Sequence, residues 1–507
     1  MEESSKKIAK NAAFLYIRMF FIMGITLYTS RVIIQALGIS DFGIYNIVGG
    51  IVAMVGFING AMAAGTQRFL SFDIGNGDEE KLKLTFNTAI IIHLFIGAIV
   101  LLIGETVGLW YINNILVFPK ERILAVNFVY QFSLFTLFVN ITQVPYNALI
   151  LAKERMNIFA YFSIIEVILK LVIAFSILFI DFDKLIIYSL FILIASIIVR
   201  ISYQIYSESN FLESKIKIIY NKSKFFEILT FSGWNIFGAI SLVAKNQGVN
   251  MILNLFFGTV VNAAYGLVMQ VNSAVLQFVN SFQAAINPQI IQSYANDNKQ
   301  KSLKLIFWGS KLSFFVMLII VVPLMVHTNL LLSMWLGPNI PQFTVTFLKL
   351  SMISVLIDCI SGPLMTGVLA VGLMRNYHII IGGFNMIIPV LSYWLLSIGY
   401  SADIVFLLMI SFSLLSLIFR VFFIKRYYNF ELKKFLFEVI LPIISGIILV
   451  FLILYILASL FDVNNFSLFI IWYFLFLLLY FFGLFFVGLE REMQNTLIFT
   501  MKKFIKR

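Results

Sequence analysis

The sequence predicts an all-α polytopic membrane protein of about fourteen transmembrane helices, built as two six-helix lobes related by a pseudo-two-fold parallel repeat, with two additional helices after them. Three observations lead there. Of 507 residues, 61% are hydrophobic and only 12% are charged, with a mean hydropathy of +0.98; soluble domains carry roughly 25% charged residues. Apolar segments of about twenty residues or more recur along the chain, each enough to cross roughly 30 Å of hydrocarbon. Finally, 25 of the 36 Lys and Arg residues fall in short polar stretches on alternate sides of those segments, which is the positive-inside pattern.

The segments run over 12–33, 42–66, 85–111, 123–151, 159–181, 184–206, 228–255, 260–287, 305–327, 343–371, 378–399, 402–424, 435–459 and 465–488. Lys6, Lys7 and Lys10 precede the first, and no small-residue cleavage site follows it. It therefore reads as a retained signal anchor with a cytoplasmic N-terminus, and an even number of spans returns the C-terminus to the same side. Only Lys120, Arg122 and Lys184 occupy the opposite face. The connections on that face are short and leave no room for an extracytoplasmic catalytic domain.

A net charge of +12 invites a nucleic-acid reading. The basic residues flank apolar spans, however, where topology and anionic lipid account for them, so no nucleic-acid partner is expected. The single cysteine, Cys359, lies in an apolar stretch and excludes an intrachain disulfide or a cysteine-based metal cluster.

A shift of 220 residues aligns the chain with itself. It places Gly38 on Gly258, Tyr45 on Tyr265, Val55 on Val275, Ala64 on Ala284, Asn76 on Asn296 and Lys81 on Lys301. At a shift of 218, Pro145 meets Pro363 and Leu151-Ala152 meets Leu369-Ala370. Six spans separate the copies, so both have the same orientation. The expected organisation is an N-terminal lobe at 1–206, a cytoplasmic basic linker at 207–227 with Lys215, Lys217, Lys222 and Lys224, and a second lobe at 228–424. Two additional helices and a basic tail then occupy 425–507.

Polar side chains mark the inner faces. Gln270, Ser273, Gln277, Asn280 and Asn287 recur at helical spacing in the eighth span, where lipid-facing positions would be apolar. Asn250 lies in the seventh span beside Asn246, Gln247 and Asn254, and Asn140 and Gln143 lie in the fourth beside Pro145. The second span carries Gly49, Gly56, Gly60 and Ala64 instead, which reads as close helix packing. Pro145, Pro323, Pro363 and Pro389 are the expected helix bends.

Charges inside the hydrocarbon cost about 2.5–3.5 kcal/mol each and need a partner or a function. Arg200, Lys311 and Arg420 sit near cytoplasmic ends and are expected to snorkel. Glu166 and Lys170, four apart, are spaced to neutralise each other. Arg18 and Lys245 have no local acid, and both are expected to face the cleft between lobes. Arg31 is near the outer end of the first span, and Lys349 and Asp358 are nine apart on the tenth. The lumen is therefore expected to be cationic and its ligand anionic, with Arg18, Lys245, Arg31 and Lys349 as contacts and the amides of Asn140, Gln143, Asn250, Gln270, Gln277 and Asn280 as the wall.

Enzyme signatures are largely missing. There is no phosphate-binding GxxxxGK[ST] loop. His93, His327 and His378 fall on three separate spans without metal-binding spacing, and each reads as a packing residue. No metal site and no cofactor are expected beyond a coupling ion, Na+ or H+, for which Asp358 and Glu166 are the candidate acids.

Three stretches carry a resemblance. TSRVIIQALGISDFGIYNIVGGI (Thr29 to Ile51), GTQRFLSFDIGNGD (Gly65 to Asp78) and QVPYNALILAKERMN (Gln143 to Asn157) resemble the polysaccharide-transporter branch of the multidrug/oligosaccharidyl-lipid/polysaccharide exporter superfamily, the Wzx-type O-antigen flippases. The resemblance covers residues 5–430, and the two further spans also occur in fourteen-helix members. It implies a V-shaped pair of lobes in the bacterial inner membrane that moves an undecaprenyl-diphosphate-linked oligosaccharide outward by alternating access, for polysaccharide and lipopolysaccharide biosynthesis. It also implies a diphosphate held by an Arg near the middle of the first helix, matched by Arg18 in helix and depth and by Lys245 in region. The implied partners are the lipid-linked oligosaccharide, membrane lipid, a polysaccharide polymerase and chain-length proteins. Three alternatives stand beside this reading. A lipid II flippase shares the fourteen-span plan, a multidrug exporter for cationic drugs would carry deep acids, and a membrane glycosyltransferase or polymerase would need a sizeable extramembrane loop.

Overall fold

A computed structural model describes residues 2–114, 118–215, 221–336, 340–460 and 462–487. Lys217 and the five basic residues of 489–507 lie outside the described residues, as does the side chain of Arg31. The described chain is helical: α1 (Glu2–Met54), α2 (Phe57–Asn76), α3 (Glu79–Asn114), α4 (Lys120–Ala152), α5 (Met156–Phe179), α6 (Lys184–Asn210) and α7 (Lys222–Ala295). There follow α8 (Lys299–Val326), α9 (Thr328–Leu336), α10 (Thr344–Val371), α11 (Met374–Ser397), α12 (Ile404–Tyr428), α13 (Leu432–Leu460) and α14 (Phe466–Val487).

Among the described residues, eleven helices are long and apolar enough to cross a bilayer. Three further arms, 2–37, 39–76 and 259–295, bring the number to the fourteen expected. The first two arms and the seventh and eighth spans are not joined by loops, as the apolar segmentation suggested. Each pair is one continuous helical run broken at a single glycine: Gly38 (φ 77°, ψ 167°) in α1 and Gly258 (φ 72°, ψ −163°) in α7. These backbone angles are essentially restricted to glycine. One residue is therefore enough to fold the chain back. Asn262 Nδ2 donates to Asn250 Oδ1 at 2.6 Å and to Asn250 O at 2.9 Å, although twelve residues of straight helix would separate them by about 18 Å. In α1, Val32 and Ile33 before the bend share a core with Phe42 and Tyr45 after it.

Gly38 and Gly258 are equivalent at the 220-residue shift, and the same register recurs at the other end of these arms. Asp78 caps α3 by accepting from Lys81 N at 3.0 Å, and Asn298 caps α8 by accepting from Lys301 N at 3.0 Å. The residues before them, Gly77 (φ 71°) and Asp297 (φ 56°), are both left-handed. At the shift of 218, left-handed Glu154 (φ 57°) matches Gly372 (φ 88°).

α13 and α14 attach to the second lobe. Tyr480 donates to Phe315 O at 2.8 Å, Gly446 lies against the Phe315 ring, and His327 packs edge-on to Trp472 with ring centroids 4.4 Å apart.

At the end opposite the basic loops, Arg122 pins three elements of the first lobe. It donates to Asp183 Oδ2 and to Asp41 Oδ2, each at 2.6 Å, and Asp183 also caps α6 by accepting from Leu185 N and Ile186 N. Burial alone would raise the Asp183 carboxyl, but the hydrogen bonds from Arg122 and the α6 amides outweigh it and hold the group below its ordinary range. Its contribution to stability is thus present above the unfolded value of about 3.9 and is lost as pH falls through the lower folded value. Arg122→Ala should destabilise the solubilised protein by about 1–3 kcal/mol at neutral pH, because it leaves two carboxylates facing each other. An unchanged thermal midpoint would show that the cluster is neutral.

The two lobes meet at the end that carries the basic loops. Gln289 Nε2 donates to Glu154 Oε2 at 2.9 Å, and Gln292 Nε2 to Ala152 O at 2.6 Å. Arg68, only 8% exposed, donates to Leu369 O at 3.0 Å and Ala370 O at 3.2 Å. A Cβ on Gly75 would lie 2.5 Å from Gln292 O, so only glycine permits this crossing of α2 and α7. Toward the other end, Val48, Val52, Val129 and Leu134 form a cluster confined to the first lobe, whereas the cluster that holds Val261, Phe347 and Phe406 also takes in Leu15, Met62 and Ile92 of the first lobe.

Candidate functional site

The chain places its deep charges in two separate lobe interiors rather than across one cleft. Arg18, half-buried on α1, lays its guanidinium on the Phe159 ring of α5, 4.6 Å from the centroid. Its buried Nε has no hydrogen-bond partner, and it forms no ion pair with a described residue. Glu166 is the nearby acid, but Lys170 Nζ holds its carboxylate at 2.6 Å, the neutralising pair expected from their spacing. Arg18 therefore carries a charge inside the first lobe that no described carboxylate contacts directly.

In the second lobe, Lys245 on α7 lies in the field of Asp358 on α10 and Arg420 on α12. Lys245 and Asp358 form no ion pair within 4 Å among the described residues. Arg420 is held by a side chain of the neighbouring helix. Its Nε donates to Tyr377 OH at 2.9 Å and its guanidinium lies over that ring. Lys311 does not reach solvent, being 3% exposed. Arg200 donates to Gln204 Oε1 at 2.6 Å and lies over the Tyr146 ring. Lys349 is exposed in the first turns of α10.

The amides divide between structure and open surface. Asn250 is occupied by Asn262, as the brace of the Gly258 bend. Gln143 is buried against Asn147 at 3.5 Å, and Asn287 accepts from Thr366 at 2.8 Å. Gln270, Ser273, Gln277, Asn280 and Asn140 are exposed. Between them, the Phe278 ring meets Phe20 of α1 at 5.8 Å, so this arm of α7 borders the other lobe. The histidines are packing residues: His93 contacts Ala89 O at 2.7 Å, and His378 contacts Asn235 Oδ1 at 3.0 Å. Among the described residues no group of His, Cys, Asp and Glu is placed to hold a metal ion.

A cavity of about 280 Å³ sits in the first lobe, lined by Tyr45, Gly49, Val52, Gly56, Asn59, Ser133, Thr136, Leu137, Asn140, Ser189 and Ile192. Of these, only Asn140 stood out in the sequence as a binding residue. The small residues of the second span had read as helix packing, yet Gly49 has nothing within 4 Å of an ideal Cβ position. The helix breaks at Val55–Gly56, where Val55 N bonds to Val52 O and Asn59 N to Gly56 O. Gly56 in a span with several small residues was the available signal.

No protein-family profile and no curated protein matches the sequence. Solved structures do. A point mutant of the Vibrio cholerae MATE transporter VcmN superposes with a TM-score of 0.71 at 16% identity, covering 85% of this chain and 98% of that one. A MATE in the bent conformation gives 0.71 at 13% identity over 84% and 97%. A MOP superfamily transporter from Pyrococcus furiosus, described as having a binding pocket of reversed polarity, gives 0.64 at 13% identity over 83% and 96%. The chain thus has the MATE-like fold of two helical lobes, to which α13 and α14 are added.

Proposed function

We propose that the protein is a flippase that moves an undecaprenyl-diphosphate-linked oligosaccharide across a bacterial cytoplasmic membrane by alternating access. The observation that carries this reading is Arg18: a guanidinium within the first lobe, without a carboxylate partner, on a helix where hydrocarbon makes unpaired charge costly. A diphosphate would supply the missing partner by charge-assisted hydrogen bonds. Lys245 and Arg420 add two positive charges against one Asp358 in the second lobe, and the exposed amides of Gln270, Gln277 and Asn280 suit sugar hydroxyls. By the positive-inside rule the end at which the lobes are bonded together is cytoplasmic.

A multidrug exporter is the second reading, favoured by the likeness to MATE structures. The same fold also supports a pocket of reversed polarity in the Pyrococcus furiosus protein, so fold alone does not choose between them. Asp358 is the exposed deep acid that a cationic drug or coupling ion would use.

Neutralising Arg18 or Lys245 should lower polysaccharide export more than tenfold, from loss of about 1.5–3 kcal/mol of charged hydrogen bonding, while protein level is kept. Arg18→Lys should fall between, because ammonium lacks the planar fork. Normal export from well-expressed Arg18→Ala and Lys245→Ala proteins would remove the anionic-headgroup site and favour the drug exporter.

A further inference from the structure

We infer that the first-lobe cavity at the α1–α2 break is a neutral saccharide subsite, which receives one sugar ring of the cargo while the diphosphate is held elsewhere. The assignment rests on the flippase reading for the nature of the cargo. The chemistry of the pocket is independent of it.

The lining contains no Asp, Glu, Lys, Arg or His. Beside the deep charge of Arg18 in the same lobe, an uncharged polar cavity suits an uncharged polar ligand. Its polar groups are hydroxyls and amides, which donate and accept equally and therefore match a sugar hydroxyl better than an ion. Several already have protein partners, the Tyr45 hydroxyl being shared with Tyr188. Thr136 Oγ1 donates to Phe132 O at 2.7 Å and Ser189 Oγ to Ile186 O at 2.8 Å, so both present only lone pairs to the cavity. The Asn59 Oδ1 atom is buried and has no hydrogen-bond partner.

The break at Val55–Gly56 borders this cavity, and its backbone stays bonded within the chain, Val55 N to Val52 O, Ile58 N to Val55 O and Asn59 N to Gly56 O. Size narrows the ligand further. At about 280 Å³ the cavity falls just under the range of roughly 300–1,000 Å³ typical of drug-sized ligands, and it suits a single ring rather than an oligosaccharide. A cation site is disfavoured, since a metal ion needs a tight shell of oxygens with carboxylates among them, and no carboxylate lines this cavity.

The test uses the full-length protein in lipid nanodiscs with two probes: undecaprenyl diphosphate, and the same lipid carrying one N-acetylglucosamine. Wild type should bind the glycosylated lipid about tenfold more tightly, the equivalent of one or two neutral hydrogen bonds. Asn140→Ala removes a polar wall residue, and Gly49→Leu fills the cavity from a helical position where a Cβ meets nothing within 4 Å. Both should bring the affinity for the glycosylated lipid down to that for the bare lipid. Gly49→Leu also raises helix propensity, so a folding failure of one variant leaves the other decisive. Equal binding of both lipids by wild type, or a preference retained in Gly49→Leu, would overturn the subsite and leave the flippase reading standing. Failure of wild type to bind either lipid would instead remove the flippase reading. Preferential binding of free Na+ that competes with the sugar would overturn the saccharide assignment in favour of an ion site.

Discussion

Replacing Gly38 and Gly258 together by alanine should leave little folded protein. Their angles, φ 77° with ψ 167° and φ 72° with ψ −163°, lie in a region that costs a residue with a Cβ about 1–3 kcal/mol. Neither position is crowded: a Cβ at either meets nothing within 4 Å. The penalty is therefore one of backbone conformation, uncontaminated by packing, and the two sites are far enough apart to add. A combined loss of about 2–6 kcal/mol is a large part of the roughly 5–15 kcal/mol that holds a typical domain. Each single variant should lower the thermal midpoint of the purified protein, and the double variant should give a poor yield of monodisperse material. Gly49→Ala is the control. It is equally uncrowded but helical, so it should be neutral or stabilising by up to about 1 kcal/mol. A double variant as stable as Gly49→Ala would mean that the bends are not fixed by these glycines.

These two residues show how much of the fold the chain declared in advance. Gly38 and Gly258 fall together at a shift of 220 because the same hairpin was needed twice. Their neighbours Asp78 and Asn298 share a cap that fixes where each following helix begins. Repetition, apolar length and alternating charge are properties of the chain itself, and all of them could be read before any contact was known. Boundaries inside each hairpin were misread, since a left-handed glycine replaces a loop without any change in hydropathy.

The interior was less legible, for a physical reason. Whether a charge is paired depends on residues far away in sequence. Glu166 and Lys170 were matched because they are neighbours on one helix, but the role of Arg420 depends on Tyr377, forty-three residues earlier. The cavity at Asn59 depends on four helices, α1, α2, α4 and α6, coming together, and none of them is unusual alone.

Replacing Arg68 should have the largest effect on conformation. In the sequence it is one basic residue of the polar stretch after the second span, with nothing local to mark it. In the structure it crosses to the second lobe and donates to Leu369 O and Ala370 O at the C-terminal end of α10. Those carbonyls are among the last of the helix, which leaves them short of intrahelical donors and at the negative end of its dipole. The guanidinium also lies 4.7 Å from the Phe69 centroid, 4.8 Å from that of Phe72 and 5.3 Å from that of Phe231.

This latch exists only while the basic ends of the lobes are together. Two charged hydrogen bonds at about 1.5–3 kcal/mol each make the closed form at least about 3 kcal/mol more favourable than it would be without them. Arg68→Ala should therefore shift the balance toward opening at this end on the order of 100-fold. Arg68→Lys should shift it less, because it keeps the charge but not the two-pronged geometry. Spin labels at Asn76→Cys and Asn296→Cys, both exposed at this end on opposite lobes, would read the change in a Cys359→Ser background. Wild type should give a short, narrow distance distribution and Arg68→Ala a longer, broader one. A lower thermal midpoint with an unchanged distance distribution would show that Arg68 only stabilises the fold, and the latch would be abandoned.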